Sequence, residues 1–186
     1  MNLSRLYFGL QLQLIVYLAV ALGREDARPA GAFYFKVADP VVETDSRDPD
    51  AVEGERTREL RLSGLYIDDQ AVLSAMAPEV DRVVSLRLKN DGAPMASPSM
   101  MDEDGFGLLI RHALRSAERI TQGILAGKTA IAPKKMTGFN ACDRCDWRAL
   151  CQQDPLLGGM PEALAPAVAQ KDVLERIRER LEQEGL

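Results

Sequence analysis

The residues of this chain best suited to chemistry are its three cysteines, which all fall within ten consecutive positions. Cys142, Cys145 and Cys151 form a C-x2-C-x5-C array. Two thiols separated by two residues can be directed at one metal centre, while backbone N–H groups of the intervening turn stabilise the negative charge on sulfur. A third thiol six residues further on reaches the same centre. The array therefore predicts a metal or cluster site and not a disulfide framework.

The fourth ligand of such a site is not evident from the array itself. An iron–sulfur cubane and a tetrahedral zinc ion each require four ligands, so three cysteines leave either site one short. Zinc would need His112, which is the single histidine of the chain. We expect His112 to lie on the polar side of its helix, beside Arg111 and Arg115, as a solvated surface residue. The choice between cluster and zinc stays open on the residues alone.

Hydrophobic periodicity and turn residues predict the elements that position these cysteines. A first helix is expected over residues 4–22, with Ser4 as its N-cap and Gly23 as its C-cap. Its apolar face would comprise Leu6, Leu10, Leu14, Tyr17 and Leu18. Further helices are predicted at 70–76, 104–126 and 171–184, and strands at 32–37, 60–67 and 83–88. The strand at 32–37 is expected to be buried on both sides, and 43–59 and 91–102 are expected to be loops, the first of them acidic and exposed.

Composition sets limits on the class of protein. A hydrophobic content of 46% and a charged content of 27% are ordinary for a soluble globular chain. The net charge of −5 argues against a protein whose whole surface binds nucleic acid, but it is compatible with a local basic patch. The apolar run at 14–22 is far shorter than the roughly twenty residues that a membrane-spanning helix needs. We therefore expect a cytoplasmic protein without a membrane partner.

The cysteine segment carries a resemblance to a known family. Residues 139–155 resemble the iron–sulfur segment of the AddB subunit of bacterial AddAB-type helicase-nucleases, within the RecB family of PD-(D/E)XK nucleases. The shared features are the cysteine spacing, the aromatic Trp147 after the second cysteine and Asp154 soon after the third. The resemblance implies a 4Fe-4S cluster whose fourth cysteine lies far upstream in the family. We expect that cysteine to have been lost from this chain.

The resemblance extends over most of the chain, about residues 2–155. Gln13 and Tyr17 occupy the motif positions of the RecB-family Q-x3-Y helix. They lie one helical turn apart, so an amide and a phenol share a face and can be presented together toward a nuclease cleft and a DNA strand. The alternative is a tyrosine packed in the core beside a surface glutamine. Weaker matches are residues 30–35, 64–65, 124–127 and 131–133.

The fold that the resemblance implies is α/β: the C-terminal half of a restriction-endonuclease-like PD-(D/E)XK core, with the iron–sulfur segment and a C-terminal helix. The expected bounds are 1–155 for the nuclease portion, 156–170 for a linker and 171–186 for the helix. Nucleases of this class hold Mg²⁺ with an Asp and with the acid of a Glu/Asp-x-Lys pair. In this chain Arg87 stands where that acid would precede Lys89. We expect a fragment that lacks the catalytic acids and is inactive alone.

The expected function of the parent protein is the processing of DNA double-strand-break ends together with an AddA-type helicase-nuclease subunit. The cluster would stabilise the fold and assist binding of DNA ends. The flanking cations would contact phosphate; they are Lys134, Lys135, Arg144 and Arg148. Two alternatives remain: a zinc-stapled interaction module that uses the three cysteines and His112, and a fragment of a Cas4-like cluster exonuclease.

Overall fold

The computed structural model describes residues 1–25, 27–151, 163–165 and 168–185. The helices are α1 (Leu3–Tyr7), α2 (Gln13–Glu25), α3 (Pro49–Glu59), α4 (Gln70–Met76), α5 (Val80–Val83), α6 (Glu103–Leu125), α7 (Arg148–Cys151) and α8 (Val173–Gln183). The strands are β1 (Gly31–Tyr34), β2 (Ser63–Ile67), β3 (Met100–Met101), β4 (Lys134–Met136), β5 (Phe139–Asn140) and β6 (Ala163–Leu164). None of the described helices is long and apolar enough to cross a membrane.

The helix predicted over residues 4–22 is in fact two helices. Gly9 interrupts it with a backbone φ of 80°, a left-handed conformation that glycine adopts without steric cost. Asn2 caps α1, since its side chain accepts a hydrogen bond from the Arg5 backbone N–H, so the assignment of Ser4 as N-cap is wrong. Gly23 lies inside α2 and does not end it.

Helix α1 is held by residues near the other end of the chain. The Leu3 N–H donates to the Gln170 side chain at 2.9 Å, and the hydroxyl of the buried Ser4 donates to the Val168 carbonyl at 2.5 Å. The α8 residue Arg180 donates to the Tyr7 hydroxyl at 2.9 Å and places its guanidinium carbon 4.2 Å from the centre of the Tyr7 ring. These contacts fix α1 against α8.

The first sheet has the strand order β1-β2-β3, with β1 antiparallel to β2 and β2 parallel to β3. Strand β2 is buried from Gly64 to Ile67. The expectation that residues 32–37 are buried on both sides is wrong, because only Ala32 of β1 is buried and Val37 is 91% exposed. Strand β1 lies at the edge of this sheet, so one of its sides has no neighbouring strand there.

Two other predictions from the sequence are corrected. Residues 83–88 do not form a strand: Val83 ends α5, and Val84 makes an isolated bridge to Leu62. The acidic stretch 43–59 is exposed as expected, but its second half is α3, whose N-cap Asp48 accepts a hydrogen bond from the Asp50 backbone N–H. Because no residue of α3 is buried, its helical character left no apolar period to detect.

The main core forms around α6, which packs against α2 and α8. The predictions of α4, α6 and α8 are confirmed to within two residues at each end. The buried core residues that α6 contributes are Phe106, Leu108, Leu109 and Ala113. Helix α8 adds its predicted inward residues Val173, Ile177 and Leu181.

Candidate functional site

The cysteine segment follows a small hairpin. Strands β4 and β5 pair antiparallel, and the Ala141 N–H donates to the Lys134 carbonyl at 3.1 Å, which closes the base of the hairpin. The hairpin is anchored to α1 by Arg5. The Arg5 guanidinium donates to the Gly138 carbonyl at 2.7 Å and lies 5.2 Å from the centre of the Phe139 ring. The cysteines therefore begin at a point tied to the core.

A series of local hydrogen bonds shapes the cysteine segment itself. Asn140 accepts from the Cys142 backbone N–H at 2.9 Å, and the Cys145 N–H donates to the Cys142 carbonyl at 3.4 Å. The Cys151 N–H then donates to the Trp147 carbonyl at 2.9 Å, at the end of α7. Cys145 is exposed, while Cys142 and Cys151 are half-buried. All three thiols thus belong to one surface segment of turns and a single helical turn.

The donor set of this segment consists of soft thiolates, which suit iron–sulfur clusters and zinc. Among the described residues, no three His, Cys, Asp or Glu side chains are grouped as metal ligands. The chemistry of the three thiols fits a cluster, and their closure around one is a rearrangement within the segment 142–151. Asp154, the last residue of the family resemblance, lies outside the described residues.

The four cations predicted to contact DNA all lie in this segment or in the hairpin before it. Lys134, Arg144 and Arg148 are exposed, and Lys135 is half-buried in β4. Trp147 is 69% exposed beside them. An exposed aromatic ring next to guanidinium groups can stack on an unpaired base. An aromatic at this position was expected as a family feature, but its exposure depends on the absence of a packing partner from the rest of the described fold.

Gln13 and Tyr17 lie together on the outer face of α2. The Gln13 side-chain amide donates to the Tyr17 hydroxyl at 2.7 Å. Tyr17 is 62% exposed, so the alternative of a core tyrosine is wrong. Ile15, between them, carries the burial of this helix instead and is fully enclosed. The pair is available to a ligand, which agrees with the expectation of a shared polar face.

The expectation that His112 is a solvated surface residue is wrong. His112 is only 1% exposed, and its Nε2 lies 3.1 Å from the Tyr7 carbonyl oxygen. Its ring stacks on the Tyr7 ring, with centroids 5.7 Å apart and planes 7° from parallel. A neutral imidazole that donates to a backbone carbonyl satisfies itself inside the core. His112 therefore helps hold α1 against α6, and it is not grouped with the cysteines among the described residues.

The burial of His112 predicts a pH-dependent stability. Burial lowers the pKa of His112 below its usual 6.5, and the charges of Arg180 and Arg119 lower it further, against hydrogen bonds from the backbone of Tyr7 and Leu6 that raise it. As pH falls through 6.5, the unfolded chain takes up the proton first, so the free energy of unfolding should decrease below that pH, with a slope of up to about 1.4 kcal/mol per pH unit. Urea unfolding at several pH values measures this slope.

The matched variant for this measurement is His112→Gln, which keeps a donor but does not titrate. Because His112 is the only histidine, its variant should lose the slope between pH 5.5 and 6.5, roughly the histidine range. An unchanged slope in the variant would assign the effect to carboxylates.

The sequence matches the family model of the PD-(D/E)XK nuclease superfamily over residues 2–152, and the chain belongs to this superfamily. The mixed α/β content of the structure agrees with that assignment. The expected fold class is thus confirmed at the level of the superfamily.

More particularly, the chain is similar to proteins named as one of the subunits of an ATP-dependent helicase/deoxyribonuclease, the AddB type. The relative from Alkaliphilus metalliredigens is 33% identical over 186 residues, which cover 95% of this chain and 16% of that protein. The relative from Desulforudis audaxviator is 36% identical over 165 residues, with 83% and 14% covered, and that from Clostridium tetani is 30% identical over 193 residues, with 98% and 17% covered. The resemblance to the AddB subunit is confirmed, and the chain spans about one sixth of the length of these relatives.

Proposed function

We propose that this chain is the C-terminal portion of the nuclease domain of an AddB-type subunit, which processes DNA double-strand-break ends with an AddA-type helicase-nuclease partner in the cytoplasm. The observation that carries the proposal is the superfamily match over residues 2–152 in a chain that also holds three thiols in one surface segment. The printed name of the relatives, a helicase/deoxyribonuclease subunit, supports the same proposal.

In this proposal Cys142, Cys145 and Cys151 are three ligands of a 4Fe-4S cluster. A fourth cysteine from a more N-terminal part of the parent protein would complete the set. The group supplies a covalent link between distant parts of a long chain. His112 is committed to the Tyr7 carbonyl, and this contact favours a cluster over a zinc site that would need the histidine.

The residues of this chain would serve the nuclease by positioning. Gln13 and Tyr17 would present an amide and a phenol to the DNA strand near the Mg²⁺ site of the parent, to which this chain contributes no recognisable Asp and Glu/Asp-x-Lys set. Lys134, Lys135, Arg144 and Arg148 would hold the phosphates of a DNA end beside the cluster. We expect the chain alone to have no nuclease activity.

Anaerobic reconstitution with ferrous iron and sulfide, in the presence of a small thiol that can occupy the fourth position, tests this proposal. The chain should become brown and bind iron and sulfide, with thiolate-to-iron absorption in the visible range. Cys145→Ser should abolish the colour, whereas His112→Ala, as the matched control, should retain it. Stoichiometric zinc without iron, lost on replacement of His112, would contradict the cluster.

A further inference from the structure

A basic cleft lies on the face of the first sheet, between the end of α3 and the loop that follows Val84. It has a volume of ≈ 590 Å³, and its charged and polar lining includes Arg58, Arg61, Arg87 and Ser97. A neighbouring cleft of ≈ 490 Å³ shares Arg58 and Arg61 and adds Arg82. Four arginines thus line one continuous stretch of surface on a chain of net charge −5.

The charges in this cleft are not all neutralised by neighbouring acids. Arg58 pairs with Glu55 at 2.6 Å, and Arg82 pairs with Glu79 at 3.0 Å. Glu59, the acid within the larger cleft, pairs with Lys36 and not with an arginine of the cleft.

Arg61 and Arg87 are different. Within the described part of the chain, neither of them forms an ion pair. The Nε of Arg61 is moreover buried and finds no hydrogen-bond acceptor there. A buried guanidinium N–H without an acceptor is costly, so this donor is suited to an anionic oxygen supplied from outside the chain.

The backbone holds these two arginines in fixed positions. Arg61 immediately precedes Leu62, whose N–H donates to the Val83 carbonyl at 2.8 Å and whose carbonyl accepts from Ser85 at 2.9 Å. The Arg87 carbonyl accepts from the Met95 N–H at 2.8 Å, across a turn. Both guanidinium groups therefore extend from the same hydrogen-bonded ladder, and a ligand would bind without ordering a loop.

The opposite wall of the cleft is also fixed, and it is partly apolar. The Tyr66 hydroxyl and the Ser97 hydroxyl are hydrogen-bonded at 2.9 Å, and Ser97 also accepts from the Ser99 N–H at 3.1 Å. Met95 and Pro98 add apolar surface to the lining. A charged fork beside an apolar wall suits a ligand with a phosphate and a sugar or base attached to it.

We propose that this cleft binds a backbone phosphate of a single nucleic-acid strand, with Arg61 and Arg87 as its donors and the Met95–Pro98 wall against the adjoining sugar or base. The inference rests on the proposed function in supposing that the strand is DNA. A flexible single strand can bring both its phosphate and its base into a cleft of this size, whereas a duplex presents phosphates alone. The site lies apart from the cysteine segment and would give the chain a second point of strand contact.

Fluorescence anisotropy of a short labelled oligothymidylate, titrated with the full chain at several salt concentrations, tests the site. Arg87→Gln and Arg61→Gln should each weaken binding by about tenfold, the effect of one lost hydrogen-bonded charge. Each should reduce the slope of log affinity against log salt by about 0.7. Arg61→Lys, which keeps the charge but not the planar fork, should recover part of the loss. Thermal unfolding of each variant verifies that it is folded.

The matched control is Arg178→Gln, which removes an equal charge from the exposed face of α8 and should leave affinity unchanged. Equal weakening by Arg178→Gln and Arg87→Gln, or no binding of the oligonucleotide by the folded chain, would overturn the proposal. Phosphorus NMR with inorganic phosphate distinguishes the source of the group: a free anion bound with no effect of Arg87→Gln on the oligonucleotide also overturns it.

The proposed function and the cleft fail separately in this design. If the double variant Lys134→Gln and Arg144→Gln carries the entire loss of affinity, the cysteine segment contacts DNA and the cleft does not. If the chain binds no iron but Arg87→Gln still weakens strand binding, the cleft stands and the cluster falls.

Discussion

Replacement of Phe106 by alanine should lower the free energy of unfolding by about 3–5 kcal/mol. The ring is 0% exposed, at the start of α6, where it joins the main core. Its loss removes the apolar contacts of a whole aromatic side chain and leaves a cavity that neighbours in a packed core fill incompletely. Because a domain of this size is stable by only about 5–15 kcal/mol, urea unfolding monitored by circular dichroism should detect a large decrease in midpoint.

Leu125→Ala is the matched control, because Leu125 ends the same helix and is 82% exposed. That change should alter the free energy of unfolding by less than about 0.5 kcal/mol. Similar losses in the two variants would show that the N-terminal part of α6 is not the centre of the core.

Gly64→Ala should be nearly as disruptive, although it adds only one methyl group. A Cβ at Gly64 would overlap the Ala32 carbonyl oxygen and lie 2.8 Å from the Phe33 Cα, both of them backbone atoms of β1. Since neither atom can turn aside as a side chain would, the β1–β2 pair must separate locally. We expect a loss at the upper end of the ~0.5–3 kcal/mol range of single substitutions, measured by thermal unfolding.

Gly54→Ala provides the opposite sign in the same chain. Gly54 lies within the exposed helix α3, and a Cβ there would meet no atom within 4 Å. Alanine should therefore stabilise this helix by about 0.5–1 kcal/mol. A Gly64→Ala variant as stable as Gly54→Ala would mean that β1 does not approach β2 as closely as described.

The elements that the sequence predicted well are those with one apolar stripe. Helices α6 and α8 have buried residues at helical spacing and are bounded by polar or glycine residues, so periodicity alone locates them. The apolar run from Leu10 to Leu22 misled the prediction of the first helix, because a glycine at position 9 is compatible with a helix interior until the backbone around it is known. Residue types do not report that Gly9 has a positive φ.

The candidate site could be predicted as a set of residue types but not as a set of contacts. The cysteine spacing and the Gln13–Tyr17 pair are readable because each is local. His112 was misplaced because its partner, Tyr7, is 105 residues away and belongs to a helix that the sequence had merged with the next one. Arg61 and Arg87 carried no pattern at all, since strand pairing around Leu62 and Val84 is what brings them to one cleft.

The attachment of α1 to α8 has a consequence for how this chain is made. Ser4 and Val168 are hydrogen-bonded although 164 positions separate them, and Leu3 and Leu6 are enclosed in the core that α8 completes. Contacts of such long sequence separation form late and slow the approach to the native state. On the ribosome, the apolar face of α1 has no finished cover until residues 168–181 emerge, and during that interval it is a natural target for chaperones.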